Sequence, residues 1–380
     1  MNTFFPKTPP LKSFKTKSKS LNLLSNIASS LPKLLLTDKV QPTIDRLNKD
    51  ALSVNKLFTN KNIKEINLAM SHLSFVAHAY IWGGIKPNSV LPEVISKPWV
   101  KVSNYIGRPP ILSYASYCLD NWYKIDNNQP ISLDNVALIN NFLGGVDEDW
   151  FVTIHVCIED AATDAIIAAN NLSKLNENSK VREFSLELKK IIKSLKNVNE
   201  IFSKMPDKCD PYIYYHRVRP YIFGTKNNPD LKNGLIYENQ FDNKPQFFRG
   251  ETGAQSSIIP FLDGALGIEH SNDNLRPYLN EMRDYMPPAH RKMIDDIEKR
   301  SKVKTYINKS KKLVKEYNDC LEEIRQFRAQ HLEYAASYIH KQSQIKNPFG
   351  TGGSTIRGTG GTPFMKYLKK HRDETDKQKV

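Results

Sequence analysis

Two histidines stand on apolar helical stripes, where an imidazole needs a reason to be. His331 recurs with Val314, Tyr317, Leu321, Ile324, Phe327, Arg328, Tyr334, Ala335 and Tyr338 at three- and four-residue steps, the period of one helix face. A core histidine satisfied by one hydrogen bond fits this pattern. So does an axial ligand to haem iron, for which one buried neutral imidazole suffices. Arg328, almost one turn earlier, is placed to pair with a haem propionate or with an acid. His155 lies on a second stripe with Phe151, Ile154, Ile158, Ala162, Ala165 and Ile166, and Glu159 follows one turn on. A plain i,i+4 hydrogen bond to Glu159 is the alternative to a polar role between the two helices. No HxxxH or HExxH string occurs, which disfavours a non-haem metal site.

Three further segments carry possible chemistry. GETGAQSS at 250–257 opens a helix with small residues, a candidate anion cradle because N–H groups at a helix start point outward unpaired. Arg219 precedes Pro220, where helix is disfavoured, so its guanidinium is offered at the end of an element. With Tyr214 and Tyr215 it can grip a carboxylate beside an aromatic pocket, a surface cation–π contact being the plainer reading. Six of the 17 glycines fall within 350–361. That run lacks GK[ST] and is no P-loop; with its arginine, after the His331 helix, it reads as a lid.

The elements that must position these groups are helices. The run from about Ser310 to Gln342 would span about 50 Å at ~1.5 Å per residue, a principal core helix. Others are expected from Trp150 and over about 182–203, while 211–224 is aromatic and irregular. No regular series of alternating strand patterns occurs, so the expected fold class is all-α. Residues 1–30, rich in Pro, Lys and Ser, read as a disordered basic extension. Residues 31–143, with Pro and Gly breaks between short helical patterns, read as a small helical domain. Residues 144–380 read as a larger helical domain carrying the glycine-rich loop 350–362.

Composition narrows the partners. Across 380 residues, 55 basic against 40 acidic side chains leave a net charge of +15. The surplus sits in 1–37, in Arg291–Lys315 and in the last dozen residues, with no aromatics interleaved at stacking spacing. These are solvated tails and helix faces rather than a nucleic-acid groove. Cys118, Cys157, Cys209 and Cys320 form no CxxC pair, against a disulfide framework or zinc site and in keeping with a reducing cytoplasm. No apolar run approaches the ~20 residues that span a bilayer, and no signal-peptide core opens the chain. Neither nucleic acid nor membrane is an expected partner.

Seven strings then occur in a recognisable order: RPPILSYASYCLDNW at 108–122, DWFVTIHVCIEDAA at 149–162, PYIYYHRVRPYIFG at 211–224, GETGAQSSIIPFLD at 250–263, YMPPAHR at 285–291, FRAQHLEYAASYI at 327–339 and RGTGGTPFMKYL at 357–368. Over roughly residues 40–370 the chain resembles the indoleamine 2,3-dioxygenase family of haem dioxygenases. The resemblance implies a small N-terminal helical domain packed on a larger helical haem-binding domain. It also implies haem b, ferrous when active, in a monomer that inserts both atoms of O2 across the indole 2,3-bond of L-tryptophan. The product is N-formylkynurenine, the first step of the kynurenine route. Carried over residue by residue, His331 is the proximal iron ligand, flanked by Arg328 and Asp263. Thr252, Gly253 and Ala254 line the distal pocket near a propionate. Arg219 binds the substrate carboxylate, and Thr359 belongs to the closing loop. Tyr114, Phe151 and Tyr214 shape the indole pocket, with Tyr117 deeper in it.

Departures from the family pattern make this pocket more polar. His155 stands where mammalian members have serine, whereas the related tryptophan 2,3-dioxygenases use a distal histidine. Tyr214 replaces a phenylalanine and Tyr117 a small residue. The catalytic candidates are Arg219 and His155, the latter hydrogen-bonding either the indole N–H or dioxygen. An oxygen-binding or haem-sensing protein on the same scaffold is the alternative, and a haem-free helical interaction protein a third. A carrier needs no carboxylate clamp, so Arg219 favours the enzyme.

Overall fold

Apolar periodicity becomes helix along nearly the whole chain. The computed structural model describes residues 3–271, 275–345 and 364–380. Its longer helices are α1 (Lys19–Ser29), α2 (Ile63–Trp82), α3 (Glu93–Ile106), α4 (Val146–Ala161), α5 (Thr163–Leu172) and α6 (Val181–Ser203). They continue with α7 (Ile258–Leu266), α8 (Leu275–Arg283), α9 (Pro288–Arg300), α10 (Lys311–Ala335) and α11 (Phe364–Asp376). Two minimal sheets complete the described residues. Val90–Leu91 pairs in parallel with Ile236–Tyr237, and Trp122–Lys124 pairs antiparallel with Val136–Leu138. The all-α expectation holds. No described helix is long and apolar enough to cross a membrane.

Local chemistry sets the helix ends. Asn62 caps α2 by accepting from Lys64 N, and Ser310 caps α10 by accepting from Lys312 N at 3.2 Å. Almost all of α2 is buried, so it runs through the core rather than over it. α4 opens on Asp147, Glu148 and Asp149, at the positive end of its dipole. Glu148 is not solvated there. It is fully buried, accepting from Phe142 N and Leu143 N, the latter at 2.8 Å. α10 buries Leu313, Tyr317, Leu321 and Ile324, and the Tyr317 hydroxyl donates to Leu266 O at 2.8 Å. The helical stripe expected to reach Gln342 changes at Ala336–His340 into a wide π turn. Two more such turns, Ala115–Leu119 and Tyr214–Val218, interrupt the segments that carry Tyr114 and Arg219. Extra residues in a turn of this kind re-aim side chains, and these turns occur often at functional sites.

Residues 3–30 are not a disordered extension. Phe4 meets Phe261 edge-on at 5.2 Å, and Phe5 stacks on Trp122 at 5.0 Å. Lys15 N and Thr16 N both donate to Glu65 at 2.7 Å, and α1 buries Leu21, Leu24, Ile27 and Ala28 against α2. The polar average of this segment hides two aromatic anchors and one apolar stripe. Their burial outweighs the entropy lost in ordering the intervening chain. The main apolar core therefore runs from Phe4 to Tyr338, with a smaller cluster of Ile111, Met282 and Tyr285 beside it.

Removing those anchors should be costly. Phe4→Ala and Phe5→Ala are each expected to cost about 3–5 kcal/mol, the usual range for a buried phenylalanine. Thermal melting of the two variants and of a chain lacking residues 1–17 should show a clear fall in Tm; an unchanged Tm would mean the segment is not docked.

Candidate functional site

A cavity of about 580 Å³ opens between α4, α6, α7 and α10, within the usual range for a ligand site. Its walls hold His155 from α4 and His331 from α10, with Leu195, Val198 and Phe202 from α6. Tyr114, Phe151, Tyr214, Arg219, Thr252, Gly253, Ala254, Asp263 and Arg328 also line it. Nearly every candidate from the sequence is thus brought to one place.

Among the described residues His331 makes no hydrogen bond; its ring meets Phe202 edge-on at 6.3 Å. The core-histidine reading required one such bond and loses its premise. Burial, reinforced by the nearby His155, lowers the His331 pKa to about 4, so the imidazole is neutral. A neutral imidazole facing a largely apolar cavity, with Arg328 beside it, fits the donor that haem iron requires.

His155 does not bond Glu159. Its Nδ1–H donates to the Phe151 carbonyl at 2.7 Å, which fixes the tautomer and leaves Nε2 as an acceptor. Burial holds this ring near 4 as well. Phe151 lies 4.4 Å from the imidazole and 4.6 Å from Tyr214, and Tyr114 meets His155 edge-on at 6.0 Å. Glu159 instead accepts from the Tyr114 hydroxyl at 2.9 Å and from the Ser256 hydroxyl at 2.7 Å, with burial raising its pKa to about 7. It thereby ties the aromatic wall to the start of α7.

Arg219 is 1% exposed, so the surface cation–π reading fails. Its guanidinium lies over Tyr215 at 5.0 Å and Phe223 at 4.6 Å, both of which orient it. Tyr117 does not join the cavity lining. Fully buried, its ring sits 6.3 Å behind Phe151 and its hydroxyl donates to Glu148 at 3.4 Å. That hydroxyl is drawn toward the buried acid and away from the pocket. Thr359 and the glycine-rich loop 350–362 lie outside the described residues.

Loop 250–257 departs from its anion-cradle reading. Thr252 caps a single 3₁₀ turn at 253–255, too short to build a helix-end anion site, and Glu251 brings a carboxyl into the cavity wall. Glu251 is 2% exposed, and burial raises its pKa to about 8. Nothing in the spacing of GETGAQSS indicated which way this acid turns.

Asp263 and Arg328 do pair, at 2.6 Å, and Arg328 also bonds Thr375 of α11. Burial pushes the Asp263 carboxyl up, but Arg328 and His270 together hold it below its ordinary value. His270 joins this pair unannounced by any motif. With His371 and Glu374 it forms a set of groups that could hold a metal ion, contrary to the spacing-based expectation. The His270 ring is already engaged on both sides, by Glu374 at 2.9 Å and Asp263 at 3.1 Å, and Arg328 lies 3.3 Å from Nε2. A cation that close opposes a metal, so the cluster acts as a hydrogen-bonded hub docking α11 onto α7 and α10.

The family model for indoleamine 2,3-dioxygenase matches residues 1–378. Indoleamine 2,3-dioxygenase 1 of Rattus norvegicus is 34% identical over 363 residues, 92% of this chain and 88% of the relative. Indoleamine 2,3-dioxygenase 2 of Homo sapiens is 31% identical, covering 92% of this chain and 87% of the relative. A myoglobin of Haliotis madaka is 30% identical, covering 93% and 90%.

The buried rings and acids make stability depend on pH in a defined direction. His72, His78, His155, His331 and His371 are held near 4 and His290 near 3, all chiefly by burial. The unfolded chain takes up these protons at about 6.5, so stability falls as pH drops from 6.5 towards 4. Glu148 and Glu159 at about 7, and Glu251 at about 8, act oppositely. They stay protonated in the fold where the unfolded chain ionises, so their contribution falls as pH rises from about 4.5. Six rings outweigh three acids below pH 6.5. Tm is therefore expected to peak near pH 6.5 and decline on both sides; a Tm still climbing to pH 8 would show the acids ionised in the fold.

Proposed function

The chain belongs to the indoleamine 2,3-dioxygenase family, and on that footing we propose that it opens the indole 2,3-bond of L-tryptophan with O2 to give N-formylkynurenine. The single observation that carries this reading is the convergence of His331, His155 and Arg219 on one cavity. Both oxygen atoms enter the product, so no external reductant is consumed in the net reaction. Haem b, in its ferrous state, supplies the chemistry that activates dioxygen. His331 is its protein ligand, with Asp263 and Arg328 fixing the surroundings of that helix.

The remaining work belongs to this chain's side chains. Arg219 takes the tryptophan carboxylate, its burial strengthening the pair. Phe151, Tyr114 and Tyr214 hold the flat ring system, and positioning of its 2,3-edge supplies most of the rate. The fixed His155 tautomer favours one of the two roles open to it: Nε2 accepts the indole N–H rather than donating to dioxygen. On this reading the enzyme acts as a monomer in the cytoplasm on soluble tryptophan.

One relative favours a second reading. The Haliotis protein is named a myoglobin, so an oxygen carrier on this scaffold is the rival. Reduced, haem-loaded protein given L-tryptophan and air should form N-formylkynurenine in equal amount to O2 consumed. A lasting oxygen complex indifferent to tryptophan would decide for the carrier. His331→Ala should lose haem on gel filtration, read from the Soret absorbance. Arg219→Ala should keep haem and lower kcat/KM about 100-fold, the size of a lost buried charge pair. His155→Ala should erase the preference for tryptophan over 1-methyltryptophan, which lacks the ring N–H; a preference that survives would return His155 to dioxygen.

A further inference from the structure

Glu159 follows His155 by one turn on α4, and two segments of the cavity wall are fastened to it. The hydroxyls that reach this acid converge on a single atom. Tyr114 Oη–H donates to Oε1 at 2.9 Å, and Ser256 Oγ–H donates to the same oxygen at 2.7 Å. Tyr114 is held at its other end as well: its N–H donates to the Gln255 side chain at 2.9 Å, which in turn donates to Gly250 O at 2.9 Å. Gln255 and Ser256 are neighbours in the chain, so these bonds close a ring through Tyr114, the 250–257 loop and α4. Tyr114 and Ser256 line the cavity, and Glu159, 2% exposed, backs them from outside the lining.

The ring so held lies beside the distal imidazole. Tyr114 meets His155 edge-on at 6.0 Å, so two side chains one turn apart on α4 fix it, one at the ring and one at the hydroxyl. His155 Nδ1–H is spent on Phe151 O, which leaves Nε2 able only to accept. The adjacent phenol is a donor of the kind Nε2 lacks, and Glu159 withholds it by taking its hydrogen bond. Oε1 serves in either charge state. Burial raises this carboxyl to about 7, and the acid proton, when present, sits on Oε2, an atom with no partner among the described residues.

We propose that Glu159 is a positioning residue for the reaction: by accepting from Tyr114 and Ser256 it sets the aromatic wall against His155 and reserves Nε2 for the ring N–H of the substrate. This rests on the tryptophan-type substrate and the His155 role argued above, and names the group that keeps that role open. Without an acceptor at position 159 the two hydroxyls are left buried and unpaired, and they turn to new partners. The phenol then competes with the indole for Nε2, and the ring that packs on the substrate moves with it. Misplacement of this kind acts on the rate more than on binding.

The test uses the haem-loaded full chain, with L-tryptophan and 1-methyltryptophan as the two probes and with Tm and haem content as controls on folding. Glu159→Ala should keep haem and lower kcat/KM for L-tryptophan about 10- to 100-fold, chiefly through kcat. Its preference for L-tryptophan over 1-methyltryptophan should fall about 3- to 10-fold, the worth of one hydrogen bond. Glu159→Gln presents the same carbonyl oxygen and should recover most of both losses. Adding Tyr114→Phe to Glu159→Ala removes the freed hydroxyl and should restore the preference without restoring the whole rate. Should Glu159→Ala not fold, Glu159→Asp, whose carboxyl falls one carbon short of the two hydroxyls, carries the same expectation. A preference unchanged in these variants, or one that Tyr114→Phe does not restore, overturns the proposal. So does a Glu159→Gln variant as impaired as Glu159→Ala at equal Tm. The preference is also read as a ratio of affinities from equilibrium titrations of the haem spectrum. A wild type that binds tryptophan without oxidising it would sink the dioxygenase reading and leave the role of Glu159 to be decided by those affinities, whereas binding of neither probe would sink both.

Discussion

A helical core of this size packs shut unless something holds it open, because protein interiors fill to the density of organic crystals. The cavity between α4 and α10 is the constraint around which the molecule is arranged. Hydrogen bonds and ring contacts prop its walls. The Tyr334 hydroxyl donates to Phe202 O at 3.1 Å, the Tyr338 hydroxyl to Cys209 O at 2.6 Å, and Trp150 Nε1–H to Lys204 O at 2.9 Å. Phe202 and Phe327 stack at 4.9 Å on the His331 side. On the other side Glu159 clamps Tyr114 and Ser256 together. Each prop ties one helix to the next segment, so the space survives between rigid walls.

Polarity inside that space is strictly rationed. The two imidazoles are neutral, and Glu159 and Glu251 hold their protons to about 7 and 8 because burial disfavours their charge. Arg219 keeps its charge against burial with the help of aromatic faces on either side. A cavity walled by buried side chains strengthens every charge that enters it, because the low-dielectric surroundings screen poorly. Substrate recognition and dryness are in this sense one property.

Much of the site was legible in the residues. Helical periodicity placed His331 and His155 on buried stripes, and the ordered strings around them supplied the family. What periodicity could not convey was which neighbour each side chain would choose. Glu159 follows His155 by one turn yet bonds Tyr114 and Ser256, because the partner across the gap is better placed than the one along the helix. Tyr117 shares a segment with Tyr114, but the π turn between them and the buried Glu148 draw it out of the pocket. His270 and His371, a hundred residues apart, stack at 4.2 Å with no spacing to announce them.

The amino-acid order alone determined the helical class, the family, the neutral imidazole on the longest stripe and the arginine before Pro220, since these depend on local period and residue type. Tertiary structure decided the rest. It docked the N-terminal phenylalanines, turned Glu251 into the cavity wall, chose the His155 tautomer and built the His270 hub. Each of these depends on which distant backbone or side chain arrives within 3 to 5 Å, and short-range hydrogen bonding and packing act only once the chain has brought those partners together.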